Sequence, residues 1–241
     1  MAAERLVDEG HEVVLHARGE ARGREAADAV PGAAGVLTGD LASLTQTRAL
    51  AEAANGSGRF DAVIHNAGVG FREPQVETED GLNRVFAINV LAPYVLTALM
   101  TRPDRLVYLS SGMHRGGDPS LRDLQWRDRR WNGAQAYSDS KLYDTVLAFA
   151  VARLWPDVLS NAVEPGWVAT RMGGPGAPDD LEAGAVTQAW LAVSEDPAAR
   201  VSGRLFYHQR PRQANPAASD PTIQDALLAA CRGLTQVELG D

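Results

Sequence analysis

One cysteine in 241 residues, Cys231, leaves no partner for an internal disulfide. With no charged-then-apolar leader at the start, that cysteine usage makes a reducing cytoplasm the expected compartment. Basic residues are the next shortage. A formal net charge of -8 denies the chain the cationic face that nucleic acid or an anionic membrane needs, so neither is expected as its main partner. No apolar run reaches membrane-spanning length. The longest, VFAINVLAPYVLTALM, carries Asn89 and Pro93 and suits a buried helix. Also missing are a G-x-S-x-G elbow, a P-loop lysine motif and any His/Cys cluster with metal spacing. His11, His16, His65 and His208 lie scattered at strand positions or edges, so no metal is expected. Without an internal repeat or a long linker, residues 1–241 are expected to form one domain.

What is present alternates. At 45% hydrophobic and 22% charged the chain has the balance of a soluble globular domain that can bury a core. Ala2, Leu6 and Val7 at helical spacing, ended by Gly10, predict a helix over Ala2 to Glu9. Strands are predicted in HEVVLHAR, GVLTGDL, FDAVIHNAG, RLVYLSS, VLSNAVEPG and GRLFYH. Helices are predicted in EARGREAADAV, SLTQTRALAEAAN, NRVFAINVLAPYVLTALM, YSDSKLYDTVLAFAVARLW, EAGAVTQAWLAVS and TIQDALLAACRGL. Short strands that are apolar throughout suit a parallel sheet covered on both faces, hence a doubly wound α/β, Rossmann-like fold.

Ligands in such sheets sit at the carboxyl ends of the strands. Those ends carry Ala17-Arg18, Asp40-Leu41, Asn66-Ala67-Gly68, Ser110-Ser111 and Pro165-Gly166, with Thr170 downstream. In AYSDSK, Tyr137 and Lys141 stand four apart, on one face of a predicted helix. A nearby ammonium favours phenolate, which suits a tyrosine to exchange a proton with a carbonyl or alcohol oxygen. The bland alternative is an aromatic edge beside a solvated amine.

The company these residues keep points further. NAG at Asn66 to Gly68, AINVLAPYVLT around Asn89, YLSS ending at Ser111, YSDSK, and PGWVAT from Pro165 to Thr170 occur in one order. In this the chain resembles a short-chain dehydrogenase/reductase from near its first residue to about Tyr207. The resemblance implies Tyr137 as general acid/base and Lys141 as the residue that tunes it and bonds the nicotinamide ribose. It also implies Ser111, last on its strand, as the group that orients the substrate oxygen, and Asn89 as holder of a relay water. Ser110 is expected to point to the opposite face. For Asn89 a buried amide at a helix distortion is an equal alternative.

Cofactor contacts implied by the same resemblance are Asn66, Ala67 and Gly68 along the adenine ribose, with Asp40 at the adenine amine and Leu41 beside the ring. Val168 and Thr170 would meet the nicotinamide carboxamide end, on a turn shaped by Pro165 and Gly166. Neutral Ala17 followed by Arg18, with Arg22 near, favours NADP(H) over NAD(H), because a carboxylate there would repel a 2′-phosphate whereas an arginine binds it. The loop GMHRGGDPSLRDLQWRDRRWNGAQA resembles the retinol-dehydrogenase-like and carbonyl-reductase-like branch. Trp126, Trp131, Met113, His114 and Met172 are candidate pocket walls for a lipophilic carbonyl or alcohol substrate, although the plainer reading, preferred for at least one of the tryptophans, is that they pin the loop to the domain. His114 has no partner at useful spacing and stands as a loop histidine. The resemblance further implies a homodimer or homotetramer built on the helices starting near Leu82 and Tyr137.

One family feature has no counterpart. The helix at Ala2 has no strand and glycine-rich turn ahead of it. In the order 3-2-1-4-5-6 that strand belongs between HEVVLHAR and FDAVIHNAG, so the expectation is either that the start is assigned too far downstream, the preferred alternative, or that the sheet breaks there with a weakened diphosphate cradle. The sequence therefore supports an NADP(H)-dependent oxidoreductase, with a non-catalytic dinucleotide-fold protein as the alternative.

Overall fold

In a computed structural model describing residues 1–170 and 172–240, strands and helices alternate nearly as predicted. They run α1 (Ala2–Asp8), β1 (Val14–Ala17), α2 (Glu20–Ala29), β2 (Gly35–Thr38), α3 (Leu44–Gly56) and β3 (Ala62–His65). These are followed by α4 (Arg84–Phe86), α5 (Ala92–Leu99), β4 (Arg105–Leu109), α6 (Gly133–Leu154), β5 (Leu159–Val163), α7 (Leu181–Val193), β6 (Leu205–Tyr207), β7 (Arg210–Arg212) and α8 (Pro221–Thr235). Local chemistry sets the boundaries. Ser43, Asn83, Asn132, Asp180 and Asp220 cap α3, α4, α6, α7 and α8 with side-chain oxygens. Gly10, at φ 88, closes α1 in the left-handed region.

β3 through β6 pair in parallel, in the order β3-β4-β5-β6. Side chains alternate between two covered faces, as a twofold repeat requires. Leu106, Tyr108, Ala162 and Leu205 join the core formed with α5, α6 and α8. Val107, Leu109, Val163 and Phe206 pack with Leu191 and Trp190 of α7. Burial on both faces explains the uniformly apolar strands.

β7 was not foreseen. It pairs antiparallel with β6 through a two-residue turn, His208-Gln209, with both φ positive. Pro211 sits in this edge strand, where it displaces no ladder bond. Neither His-Gln nor Arg-Pro-Arg carries an ordinary hairpin or strand signal. The helix predicted around Asn89 is also interrupted. A π-helical stretch, Ala87–Leu91, separates α4 from α5.

Between β1 and β3 the sheet is divided. β1 pairs only with β2, in a separate parallel pair, and β3 pairs only with β4. Among the described residues no strand lies between them. Val14, Leu15, Val63 and Ile64 are half-buried, whereas every residue of β4 is buried. Helix contacts bridge the division instead. Leu41, Leu50 and Ala51 pack on Ala92 and Leu96 on one side, and α1 lies against α7 on the other. Beside α1, the end of α2 and α7 is a cavity of about 710 Å³.

Unpaired edges open easily. In hydrogen-exchange mass spectrometry the amides of β4 and β5 are expected to be the most protected, and those of β1 and β3 to exchange at least about tenfold faster. Equal protection across all four strands would contradict the division.

Candidate active site

The carboxyl ends of β3, β4 and β5 and the first turns of α6 meet at one place. Two glycines let the chain after β4 seat on its neighbours. A Cβ at Gly117 would stand 2.6 Å from Leu142 Cβ on α6, and one at Gly112 would stand 2.7 Å from Glu164 Oε1. The serine pair divides as the alternation predicts. Ser110 is buried and its hydroxyl donates to the carbonyl of Lys141 at 2.9 Å, with Thr145 Oγ1 also at 2.9 Å. Ser111 is half-buried and caps the short 3₁₀ turn Gly112–Gly116, its Oγ accepting from the Met113 N–H.

Tyr137 is 6% exposed, with Phe71 edge-on to its ring at 6.2 Å. The Lys141 ammonium stands 5.8 Å from that ring and donates to Leu109 O at 2.6 Å and to Asp144 Oδ2 at 2.7 Å. Burial acts against the lysine's charge, but Asp144 and Tyr137 outweigh it and raise its pKa. Burial also pushes the Asp144 carboxyl up to about 6, with Lys141 pulling the other way. Asn89 sits in the π-helical stretch, where an extra residue per turn often marks functional positions. Its amide clamps the loop after β3: Oδ1 accepts from Val69 N at 2.8 Å, and Nδ2 donates to Val69 O at 3.1 Å and to Ser140 Oγ at 2.9 Å. Both donors are therefore committed, as the buried-amide alternative requires.

Gly68 closes this group. A Cβ there would lie 3.3 Å from Asn89 Oδ1 and 3.6 Å from Lys141 Nζ, so glycine leaves room for a ligand beside the ammonium. Asn66 and Ala67 are exposed at the end of β3. Gly166 has φ 90, and a Cβ there would stand 2.6 Å from Asp179 Oδ2, so no other residue fits without strain. That carboxylate accepts from Trp167 N at 2.6 Å, while Val168 bridges to Asp179. Thr170 Oγ1 accepts from Gly173 N at 3.2 Å. Pro165 precedes this turn.

At the other end, Arg18 follows β1, exposed and without an ion pair among the described residues, while Arg22 pairs with Glu25. Asp40 accepts from Ala42 N at 2.9 Å. The Leu41 side chain packs in the core between α3 and α5.

His114 differs from expectation, whereas Trp126 and Met172 fall within the alternatives the sequence left open. His114 is no loop histidine but is wholly buried. Its Nε2 accepts from Asn215 N at 3.2 Å, which assigns the proton to Nδ1, donated to Ser111 O at 2.6 Å. Burial is the main force lowering its pKa. Trp126 is buried against Val85 and Ala136 and stacks edge-on with Trp131, so it pins the loop. Met172 lies on Gly70, its Cγ 2.7 Å from where a Cβ would stand, and so covers the loop after β3. No spacing in the sequence signals the long-range contacts of His114 or Met172.

Just behind the site, His65 is buried, with Nε2 3.1 Å from Thr97 Oγ1, which lies 2.7 Å from Tyr108 OH. Desolvation holds its pKa down near 4. Because the folded state refuses a proton that the unfolded state accepts below its ordinary pKa of about 6.5, stability falls with falling pH. Urea denaturation at about pH 7 and pH 5 is expected to show wild type losing about 2 kcal/mol more than His65→Gln. Equal losses would place His65 in solvent.

Comparison with known proteins follows this geometry. The family model described as Enoyl-(Acyl carrier protein) reductase matches residues 1–200. An uncharacterized oxidoreductase of Emericella nidulans is 44% identical over 98% of this chain and 92% of its own. A daunorubicin C-13 ketoreductase, so described, of a Streptomyces species is 31% identical over 100% of this chain and 88% of its own. Among solved structures, an uncharacterized protein from Mycobacterium paratuberculosis superposes with a TM-score of 0.83 at 26% identity, over 100% of this chain and 90% of that one. A blue fluorescent protein from a metagenomic library, in complex with NADPH, shares the fold at TM-score 0.66 and 22% identity, over 86% of this chain and 90% of that one. With its buried Tyr137–Lys141 pair behind a glycine-lined strand end, this chain belongs to the short-chain dehydrogenase/reductase family of oxidoreductases.

Proposed function

We propose that the protein interconverts a carbonyl group and an alcohol with NADP(H), Tyr137 exchanging the proton. The observation that carries this reading is the Tyr137–Lys141 pair on one buried face of α6, 5.8 Å from ring to ammonium, beside a glycine whose missing Cβ leaves room for a ligand.

The residues present fit the two ends of a dinucleotide. Lys141, Val168 and Thr170 would hold the nicotinamide ribose and ring, and Gly68, expected along the adenine ribose, lies instead toward the Lys141 ammonium. Asn66, Ala67, Asp40 and Arg18 would hold the adenosine, with Arg18, which has no ion pair among the described residues, set for a 2′-phosphate. When bound, the nicotinamide supplies or accepts the hydride. The chain's own part is proton and geometry. In reduction Tyr137 gives its phenolic proton to the carbonyl oxygen, and in oxidation its phenolate removes the alcohol proton. Lys141 sets its ammonium 5.8 Å from the Tyr137 ring. Ser111 orients the substrate oxygen at the end of β4, and Asn89 fixes the loop that carries Gly68 and Val69. Phe71 beside Tyr137, Met172 over Gly70 and exposed Trp167 suit a lipophilic substrate.

The divided sheet favours a second reading, a dinucleotide-fold protein that does not catalyse, since no glycine-rich turn for a diphosphate lies between β1 and β3 among the described residues. NADPH fluorescence titration separates the two. Binding is expected, and it is expected to tighten when a parallel strand with a glycine-rich turn is supplied between β1 and β3. Failure to bind in both forms would end the enzyme reading. Where binding is seen, Tyr137→Phe is expected to lower carbonyl reduction by at least about a hundredfold while sparing affinity. Arg18→Ala is expected to weaken NADPH about tenfold and leave NADH unchanged, and equal loss for both cofactors would remove Arg18 from the 2′-phosphate.

A further inference from the structure

Lys141 is the only lysine in the chain, every other cationic side chain of the Lys/Arg type being arginine. It lies in a buried ion pair with Asp144, one turn along the same helix, with 6% and 4% of the two side chains exposed. Two of its three N–H bonds are spent on Leu109 O and Asp144 Oδ2. Asp144 Oδ1 has no hydrogen-bond partner among the described residues. As a stabilising device this is poor, because a buried pair with an unfilled oxygen generally does no better than packed apolar side chains. Lysine is also the cation that gives up its proton readily when buried, whereas arginine does not.

We propose that Asp144 is a positioning residue of the active site, holding Lys141 as an ammonium in a fixed direction so that its remaining N–H faces Gly68 and Tyr137. The inference rests on the functional reading above. Two anchors, the carboxylate and the β4 carbonyl, leave the third donor for the side of Gly68, whose absent Cβ would stand 3.6 Å from Nζ. The groups around Asp144 offer no substitute cation. Tyr137 on its own helix and Tyr108 on β4 are phenols, and His65 on β3, its ring 4.8 Å from that of Tyr108, is held neutral by burial. Ser110 and Thr145 bond to each other and to the Lys141 carbonyl. The balance of forces at Lys141 agrees, since burial alone would discharge it and Asp144 is the largest force opposing that.

A single lysine makes the test direct. Selective [15N]lysine labelling gives one side-chain resonance, followed against pH without cofactor or substrate. In wild type the ammonium signal is expected to persist beyond the ordinary lysine range. In Asp144→Asn deprotonation is expected at least about two pH units lower, whereas Asp144→Glu retains the wild-type behaviour. An unshifted titration in Asp144→Asn would overturn the inference. Should the Asn variant not fold, wild type decides. Protonation of Asp144 near pH 6 is expected to displace the Lys141 resonance between about pH 8 and 5, and a flat response would overturn the inference. Because the readout needs no turnover, an absence of NADPH-dependent activity would refute the functional reading alone.

Discussion

The close seating of α6 on β4 is the constraint on which the rest depends. Lys141 can reach the carbonyl of Leu109 only because Ser110, one residue on, locks the backbone of α6 through the Lys141 carbonyl. The same contact turns Ser111 to the other side of the strand, where its hydroxyl remains accessible. A glycine at 117 admits Leu142 and the backbone of Ser138 at distances that no side chain would tolerate. Close packing, hydrogen bonding and site geometry are here one arrangement. A helix moved outward by a methyl group would lose the ammonium's anchor first.

Much of this was legible from spacing. Tyr137 and Lys141 share a face because four residues make about one helical turn, and Ser110 and Ser111 face apart because a strand alternates. The break between β1 and β3 is one of two outcomes implied by the family resemblance, whose strand order sets another strand there. Other features were hidden because they arise between residues distant in sequence. His114 meets Asn215 across the domain, and Met172 covers Gly70. A helix distortion at Asn89 is one of two readings the sequence allows, but nothing in the run around it specifies a π-helical turn. The role of Asp144 was hidden for another reason. On a helix, an acid three residues after a lysine ordinarily marks a solvated surface pair, and only burial changes its meaning.

The C-terminal part of the chain supports the site from outside it. β7 and the 3₁₀ turn Pro216–Ser219 bring Arg212 to Glu164 at 3.1 Å and Asn215 to His114, while Arg115 approaches Glu164 from the other side at 3.5 Å. The buried carboxylate at the end of β5 thus has two guanidinium partners, and the turn after β4 is tied to a segment about a hundred residues further on. Function in this fold is local, yet its precision is borrowed from long-range closure.

The open edges of β1 and β3 have a consequence for molecules in a crowd. A strand with free amides and carbonyls along one side is a template for any extended polypeptide that meets it, including another copy. The chain's surplus of negative charge keeps identical molecules apart over roughly one Debye length, about 8 Å at physiological ionic strength. Colloidal stability therefore draws on that repulsion, and concentrated salt, by screening it, lets such strand edges approach one another.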